Sequence, residues 1–329
     1  MQLLQNRFLV FIALLLLAIS ISTAQWYQAL HEPLNKSTSF EVTHGDHLGD
    51  IRVQLKEQTI TEHADLFYWY VRFSGISRQL HAGEYQVSPK SNLIELAEKM
   101  VRGDVIDHQI TIIEGSTTKD FIAAVKAHPM IKQTDVSYNS IMQTILGEDV
   151  HPEGQFFPDT YHFTKDTSDI ELLKRAYSRM QEKLEQAWST RADSIILTSP
   201  YEVLTLASII EKETGQASER GQISGVFHRR LQRDMKLQTD PTVIYGMGEA
   251  YKGNIRRKDL RTPTPYNTYT QKGLPPSPIC LPGYDSLLAA VNPEQGDTLY
   301  FVAKGNGEHV FSATLEDHNK AVRKYQLKK

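Results

Sequence analysis

The sequence predicts an α+β protein with one N-terminal transmembrane helix, a small α+β module and a larger domain of mixed helices and strands. Three observations carry this. Residues Phe8 to Ile21 form an almost purely apolar run, FLVFIALLLLAISI. Residues 40–115 interleave short strand-like and helix-like patterns. Residues 116–329 hold well-marked helical stretches and then a tract rich in turns and short strands. The length, 329 residues, suggests about two domains at ~150 residues each.

Extended to Trp26, the apolar run covers ~28 Å at ~1.5 Å per residue, enough for a bilayer core of ~30 Å. Arg7 precedes it, which favours a cytoplasmic N-terminus, and Trp26 and Tyr27 follow it, where interfacial aromatics belong. This gives a tail over 1–7, an anchor over 8–26 in a cytoplasmic (inner) membrane, and a juxtamembrane linker over 27–39. Ser22-Thr23-Ala24 also fits a signal-peptide cleavage site, so a cleaved leader is the alternative. Both readings export the rest of the chain.

In the module over 40–115, Ile51, Val53 and Leu55 alternate, but Leu48, Ile51 and Leu55 also fit a helix, so this element stays ambiguous. A dense aromatic run, LFYWYV, falls between Ala64 and Arg72. Ala82 to Val87 reads as a turn into a strand. Ser91 to Met100 reads as a helix with Ser91 as N-cap and Gly103 as its end. Gln109 to Ile113 reads as a strand closed by Glu114-Gly115. In the domain over 116–329, Ser168 to Trp188 reads as a helix opened by a Ser168/Glu171 capping box. Its apolar stripe includes Leu173, Ala176, Met180, Leu184 and Ala187. A helix over Ser218 to Met235 presents Ile223, Val226, Phe227 and Leu231. Leu299–Val302 and His309–Phe311 flank Gly305–Gly307 like a hairpin.

Composition excludes several classes. A net charge of −3 leaves no basic footprint for nucleic acid. The single cysteine, Cys280, cannot form an intrachain disulfide. It sits between Pro278 and Pro282 and reads as a packed small hydrophobe rather than a nucleophile. His44, Asp46, His47 and Asp50 lack zinc-ligand spacing, so no metal is expected. Gly246-Met247-Gly248 and Gly305-Asn306-Gly307 lack a nucleotide-binding context. No G-x-S-x-G elbow occurs, and no cofactor is implied.

The informative segment is the helix after Ser199. Ser199 and Glu202 form a capping box with Pro200 at the first helical position, and Gly215 sits where a left-handed C-terminal glycine belongs. Leu206, Ile209, Ile210 and Glu213 are spaced i, i+3, i+4, i+7 and share one face. Glu213 thus continues an apolar stripe. Partial burial and the negative helix end both favour its protonated form, which a general acid requires. The alternative is that Glu213 closes the stripe and pairs with Arg220 or Arg229. Glu211 lies ~160° away around the helix and reads as solvated.

LASIIEKETGQASER, LQTDPTVIYGMG (237–248), TPYNTYTQKGLPPSPI (264–279) and YFVAKGNGEHVFSATLEDHN (300–319) resemble, in this order, the YceG-like family of endolytic murein transglycosylases. HPEGQFFPDTYHF (151–163) and the apolar segment fit too. The resemblance spans nearly the whole chain and implies cleavage of peptidoglycan glycan strands. It places the catalytic glutamate at the second glutamate of the E-K-E-T motif, Glu213. It implies a LysM-like module over 40–115, a catalytic domain over 116–329 outside the membrane, and cell-wall synthases as partners. One loop departs: where the family often shows G-P-I-x-N-P-G, this chain reads Ser277-Pro278-Ile279-Cys280-Leu281-Pro282-Gly283.

Such a reaction needs polar groups to orient the sugars. Gln238, Thr239 and Asp240 are candidates, as are Tyr266, Asn267, Thr268 and Tyr269. Thr239-Asp240-Pro241 and Pro265-Tyr266-Asn267 are equally good turn chemistry. Glu219 reads either as a second acid or as a first-turn residue of the third helix. Glu153 and Asp159 fall in a loop with no pattern to rank them. A hydrolytic muramidase with a second carboxylate and a membrane-anchored glycan-binding scaffold are the competing functions.

Overall fold

The structure, a computed structural model, describes residues 2–134 and 136–327. The chain divides into two compact units. One holds residues up to His108 together with His162–Asp166, and the other holds Gln109–Tyr161 together with the chain from Thr167 onward.

The first unit begins with α1 (Gln2–Leu30). Gln5–Leu30 contains a strongly apolar 18-residue stretch that is not buried in the fold. It is the one helix among the described residues long and apolar enough to cross a membrane. The helix runs past Trp26, and the segment expected as a linker over 27–39 is only partly free. It finishes α1, buries Leu30 and Leu34, and begins β1 (Thr38–Val42). These two leucines, the last of α1 and one in the irregular chain beyond it, fasten this stretch to the unit's core.

β1 pairs antiparallel with β2 (Gly83–Val87), with Phe40 opposite Tyr85. Phe40, Val42, Tyr85 and Val87 alternate inward and are buried, as a half-buried strand pair requires. Three helices cover them: α2 (Leu48–Glu57), α3 (Ala64–Phe73) and α4 (Leu93–Arg102). The ambiguous stretch resolves as helix because Ile51 and Leu55 are buried four apart while Val53 is exposed. The aromatic run becomes α3, with Phe67 and Val71 buried and Trp69 stacked on Phe73 outside. In α4 the N-cap is Asn92, not Ser91. Asn92 Oδ1 accepts from Glu95 N at 3.0 Å, whereas Ser91 Oγ donates to Ser88 O. Gly103 closes the helix at φ 69°. Asp46 and Asp50 serve local backbone: Asp46 Oδ2 accepts from Thr43 N, and Asp50 Oδ2 from His47 N.

The chain crosses between the units within β3 (His108–Thr111) and again within β4 (Thr160–Phe163), which lie in one two-stranded sheet. The second unit holds α5 (Thr118–Ala127), α6 (Ile141–Leu146), α7 (Asp169–Ser189), α8 (Pro200–Glu213) and α9 (Arg220–Gln232). It continues with α10 (Asp240–Met247), α11 (Arg257–Arg261) and α12 (Tyr284–Val291). The hairpin of β5 (Tyr300–Ala303) and β6 (His309–Ser312) and then α13 (Leu315–Tyr325) complete it.

α8 is the central helix. Every residue from Val203 to Ile210 is buried, and α7, α9, α10 and α12 pack on it. A helix apolar on all sides belongs inside. Its two buried hydroxyls are satisfied: Thr205 Oγ1 donates to Tyr201 O at 2.9 Å, and Ser208 Oγ donates to Thr205 O at 2.7 Å. Cys280 is buried against the same helix, its thiol 3.2 Å from Ser208 O, and burial pushes that thiol well above its ordinary range.

Candidate active site

α8 starts as its sequence predicts: Ser199 Oγ accepts from Glu202 N, and Pro200 opens the helix. Its end differs. Gly215 takes no left-handed conformation; Thr214 is instead extended, at φ −144° and ψ 136°. The helix therefore stops at Glu213 and leaves that side chain on its last position. The Thr214 hydroxyl is occupied locally, accepting from Gln216 N at 2.9 Å.

Glu213 is half-buried, and the Thr239 hydroxyl donates directly to its Oε1. Crowding by protein atoms pushes its carboxyl up to about 7. The Thr239 hydrogen bond opposes the shift, the charge of Asp240 adds to it, and His309 and Arg230 oppose it more weakly. Burial therefore outweighs every polar contact, leaving a carboxyl that holds its proton near neutrality and can still release it. The alternative ion pair does not form. Arg229 binds Thr298 and the Glu294 carbonyl, and Arg220 faces Asp285 and Glu211.

Glu211 is not solvated. Its side chain is 8% exposed, 3.7 Å from the Arg220 guanidinium. Its Oε2 accepts from Gly283 N at 3.0 Å and from Ser286 Oγ at 2.7 Å. The helical-wheel argument missed α12, which covers that side of α8.

Six of the seven candidate binding residues separate into two groups, with Tyr266 apart from both. Gln238 and Asp240 are exposed, and Tyr269 is half-buried with its hydroxyl 2.6 Å from Asp240 Oδ1. Thr239, Asn267 and Thr268 are buried and internally bonded. Asn267 Nδ2 donates to the carbonyls of Asp259, Leu260 and Thr262, and its Oδ1 accepts from Tyr269 N. Its amide shapes the 259–269 loop, with both donor hydrogens taken up by backbone carbonyls. Thr268 Oγ1 accepts from Thr239 N at 3.1 Å and lies 2.9 Å from Thr242 Oγ1. Tyr266 packs edge-on against Tyr245 and bonds Ser277 Oγ at 2.7 Å. Thr239 thus touches Glu213, while Thr268 holds the 238–239 backbone in place.

Sequence reasoning missed two side chains of this region. Arg230, only 7% exposed, donates to the carbonyls of Leu299, Lys236 and Leu237 and to Gln238 Oε1. Its guanidinium lies 5.1 Å from the centre of the Tyr300 ring. His309 is bonded to Glu219. Both join segments 69 or more residues apart, beyond the reach of local pattern. Glu153, which no pattern ranks, is 1% exposed and structural: its Oε1 accepts from Thr118 N at the start of α5, and its Oε2 from Tyr245 Oη. Leu281, at the departed loop position, is buried. Its backbone pairs with Ser116 and Gly115, so this position is a packing site here. A cleft of about 380 Å³, lined by Ile196, Tyr201, Leu231, Leu274, Pro275 and Pro276 among others, lies at the opposite end of α8 from Glu213. The carboxylate in its lining, Glu202, accepts from Thr198 N and Oγ1 at the start of α8.

A raised carboxyl at a helix end, held by a hydroxyl and set among polar side chains, has the chemistry to give and take a proton near neutrality. The chain belongs to the YceG-like family, whose model matches residues 40–324. It is 33% identical over 322 residues to a protein of Bacillus subtilis (strain 168) named endolytic murein transglycosylase, covering 91% of this chain and 88% of that protein. A Streptococcus pneumoniae (serotype 2, strain D39 / NCTC 7466) protein of the same name is 26% identical across 97% of this chain and 64% of its own length. A crystal structure of a YceG-like protein from Listeria monocytogenes aligns with a TM-score of 0.53 at 32% identity, covering 87% of this chain and 99% of that one. These likenesses agree with the α+β fold class.

Proposed function

We propose that this protein is an endolytic lytic transglycosylase that cuts peptidoglycan glycan strands between N-acetylmuramic acid and N-acetylglucosamine, with Glu213 as acid and then base. The observation that carries the reading is the Glu213 carboxyl, raised to about 7 beside the Thr239 hydroxyl. The names of the Bacillus and Streptococcus relatives support the substrate class. Protonated Glu213 gives its proton to the glycosidic oxygen. The C1–O bond breaks with its electrons going to that oxygen. The muramic C6 hydroxyl oxygen bonds to C1, and its proton passes to the Glu213 carboxylate, which restores the acid. The nucleophile is part of the substrate, so its effective concentration reaches ~10⁵–10⁸ M in well-oriented models, and no second carboxylate is needed to activate water. Asp240 and Glu219, the other acids nearest the site, are held by Tyr269 and His309, which supports the single-acid reading. Gln238, Asp240 and Tyr269, accessible beside Glu213, are the side chains for contacting sugar.

Mass spectrometry of products from purified strands in ¹⁸O-labelled water tests this. The expected new ends are 1,6-anhydromuramic acid without label. Labelled reducing ends would make the enzyme a hydrolase.

The first unit is read as a LysM-like, strand-holding module. α1 is read as a retained single-pass anchor that places both units outside the inner membrane, in the periplasm or its equivalent, where cell-wall synthases are candidate partners. N-terminal sequencing of the mature chain is expected to show no cleavage after Ala24. A mature chain starting at Gln25 rules out the anchor.

A further inference from the structure

α1 is joined to the first unit without a loose tether. Trp26 packs on that unit's core, and Leu30 and Leu34 are buried in it. Past the end of α1, Glu32 Oε2 lies 2.8 Å from Nε2 of His63, the residue that precedes α3. α3 begins there and yet packs on α1, so its course leads back towards the apolar stretch. Its ten residues cover ~15 Å at ~1.5 Å each, enough to reach back from Glu32 to about Ser22, just beyond the apolar run that ends at Ile21. The outer face of α3 is aromatic. Ala64, Phe67 and Val71 are buried, while Trp69 is 44% and Phe73 73% exposed. Their rings stack at 5.4 Å, and Tyr68 meets Trp69 edge-on at 5.2 Å. A surface helix that faces only water carries polar residues there. The charge along the chain from Leu66 to Gly83 is of one sign: Arg72 and Arg78 are exposed, and no acid falls between Asp65 and Glu84.

We infer that the exposed face of α3, Trp69 and Phe73 with Arg72 and Arg78 beside them, rests in the headgroup layer of an anionic bilayer next to α1. This rests on the reading of α1 as a retained anchor. Water penalises two stacked aromatic rings left open, whereas a membrane interface takes up their apolar surface and leaves their surroundings wet. Anionic headgroups draw the two arginines, and each adds to the attraction close to the surface. α1 itself fixes where the bilayer lies, and its fastening at Trp26, Leu30 and Leu34 brings α3 to that level with no rearrangement of the unit. Trp26 and Tyr27 at the end of α1 and Trp69 and Phe73 on α3 then form one aromatic band two helices wide. The face holds the first unit down on the membrane surface and keeps it from swinging on its anchor.

The test uses the full chain reconstituted in vesicles of phosphatidylcholine and phosphatidylglycerol whose acyl chains carry bromine close to the headgroup, where it quenches a tryptophan at that depth. The chain has three tryptophans, Trp26, Trp69 and Trp188. Comparing wild type with Trp69→Phe isolates the emission of Trp69, and Trp26→Phe isolates that of Trp26. The Trp69 emission is expected to lose most of its intensity in brominated vesicles relative to unbrominated ones. Equal intensity in both overturns the inference. If Trp69→Phe does not fold, Phe73→Cys carrying a polarity-sensitive dye gives a second reading, since the native Cys280 is buried. The dye is expected to shift to the blue on reconstitution, and an unshifted dye overturns the inference. A quenched Trp26 beside an unquenched Trp69 removes only the role of α3, whereas two unquenched residues remove the anchor reading beneath it as well. Trp69 emission that responds to glycan strands in detergent and not to the bilayer also overturns the inference, and marks a sugar-stacking face instead.

Discussion

Replacing Glu213 by Gln is expected to lower turnover on glycan strands by ~10²–10⁴-fold, towards the high end because one residue serves as both acid and base. Gln keeps the shape and still accepts from Thr239, so only the transferable proton is lost. Binding of intact strands should persist, since the first unit is read as holding them; lost binding would count against that role. Stability should move the other way. The folded-state value of about 7 lies above the ordinary 4.5. A group raised in this way contributes its stability fully below about pH 4.5 and loses it as pH rises through about 7. The amide of the Glu213→Gln variant cannot ionise, so the variant should match wild type at pH 4 and gain steadily up to about pH 7. The gain at pH 8 is at most on the order of 3 kcal/mol at ~1.36 kcal/mol per pH unit. Urea denaturation at pH 4 and pH 8 measures it. Equal stabilities at pH 8 would show that Glu213 is not held protonated, and near-normal turnover would show that it is not the acid.

The same helix shows where sequence reading succeeds and where it stops. Ser199, Pro200 and the apolar spacing of α8 are legible because caps and periodicity act within a few residues. The motif resemblance points to Glu213 for the same reason: its neighbours are local. The wheel argument that sends Glu211 to solvent fails because α8 is buried all round from Val203 to Ile210 and covered at Glu211; the start of α12, over 70 residues later, supplies Ser286 Oγ and the preceding Gly283 N. Gly215 looks like a helix stop, but Thr214 ends the helix in an extended conformation, tying its hydroxyl to Gln216. Residue type makes Thr239 a candidate for sugar or for a turn, and the bond of its hydroxyl to Glu213, 26 residues away, is not legible in the local sequence. The sequence places His309 only in a hairpin. Its bond to Glu219 spans 90 residues, and nothing in the GEHVF segment announces it.

Arg230→Met is expected to cost the protein on the order of 3 kcal/mol and to lower turnover as well. Met keeps much of the stem's packing but removes every donor. The carbonyls of Leu299 and Leu237 each lose a 2.7 Å partner, and Lys236 O loses one at 3.2 Å. A buried acceptor left without a donor costs ~1–3 kcal/mol. Water reaching the 236–238 edge, where Gln238 is exposed, relieves part of the sum. For a unit of this size the melting temperature should fall by about 10 °C. The activity loss follows from connectivity. Arg230 pins residues 236–238, Gln238 sits at φ 53°, and the next residue is Thr239, which donates to Glu213. Releasing the segment frees Thr239 to leave the carboxyl, and removing the guanidinium takes away one of the charges that oppose the upward push on Glu213. Arg230→Lys should rescue little, because one ammonium cannot reproduce a planar fork that serves β5 and the 236–238 segment together. Thermal denaturation and steady-state turnover on glycan strands read both effects. A melting temperature within about 2 °C of wild type would show that the 236–239 segment holds its course without the arginine.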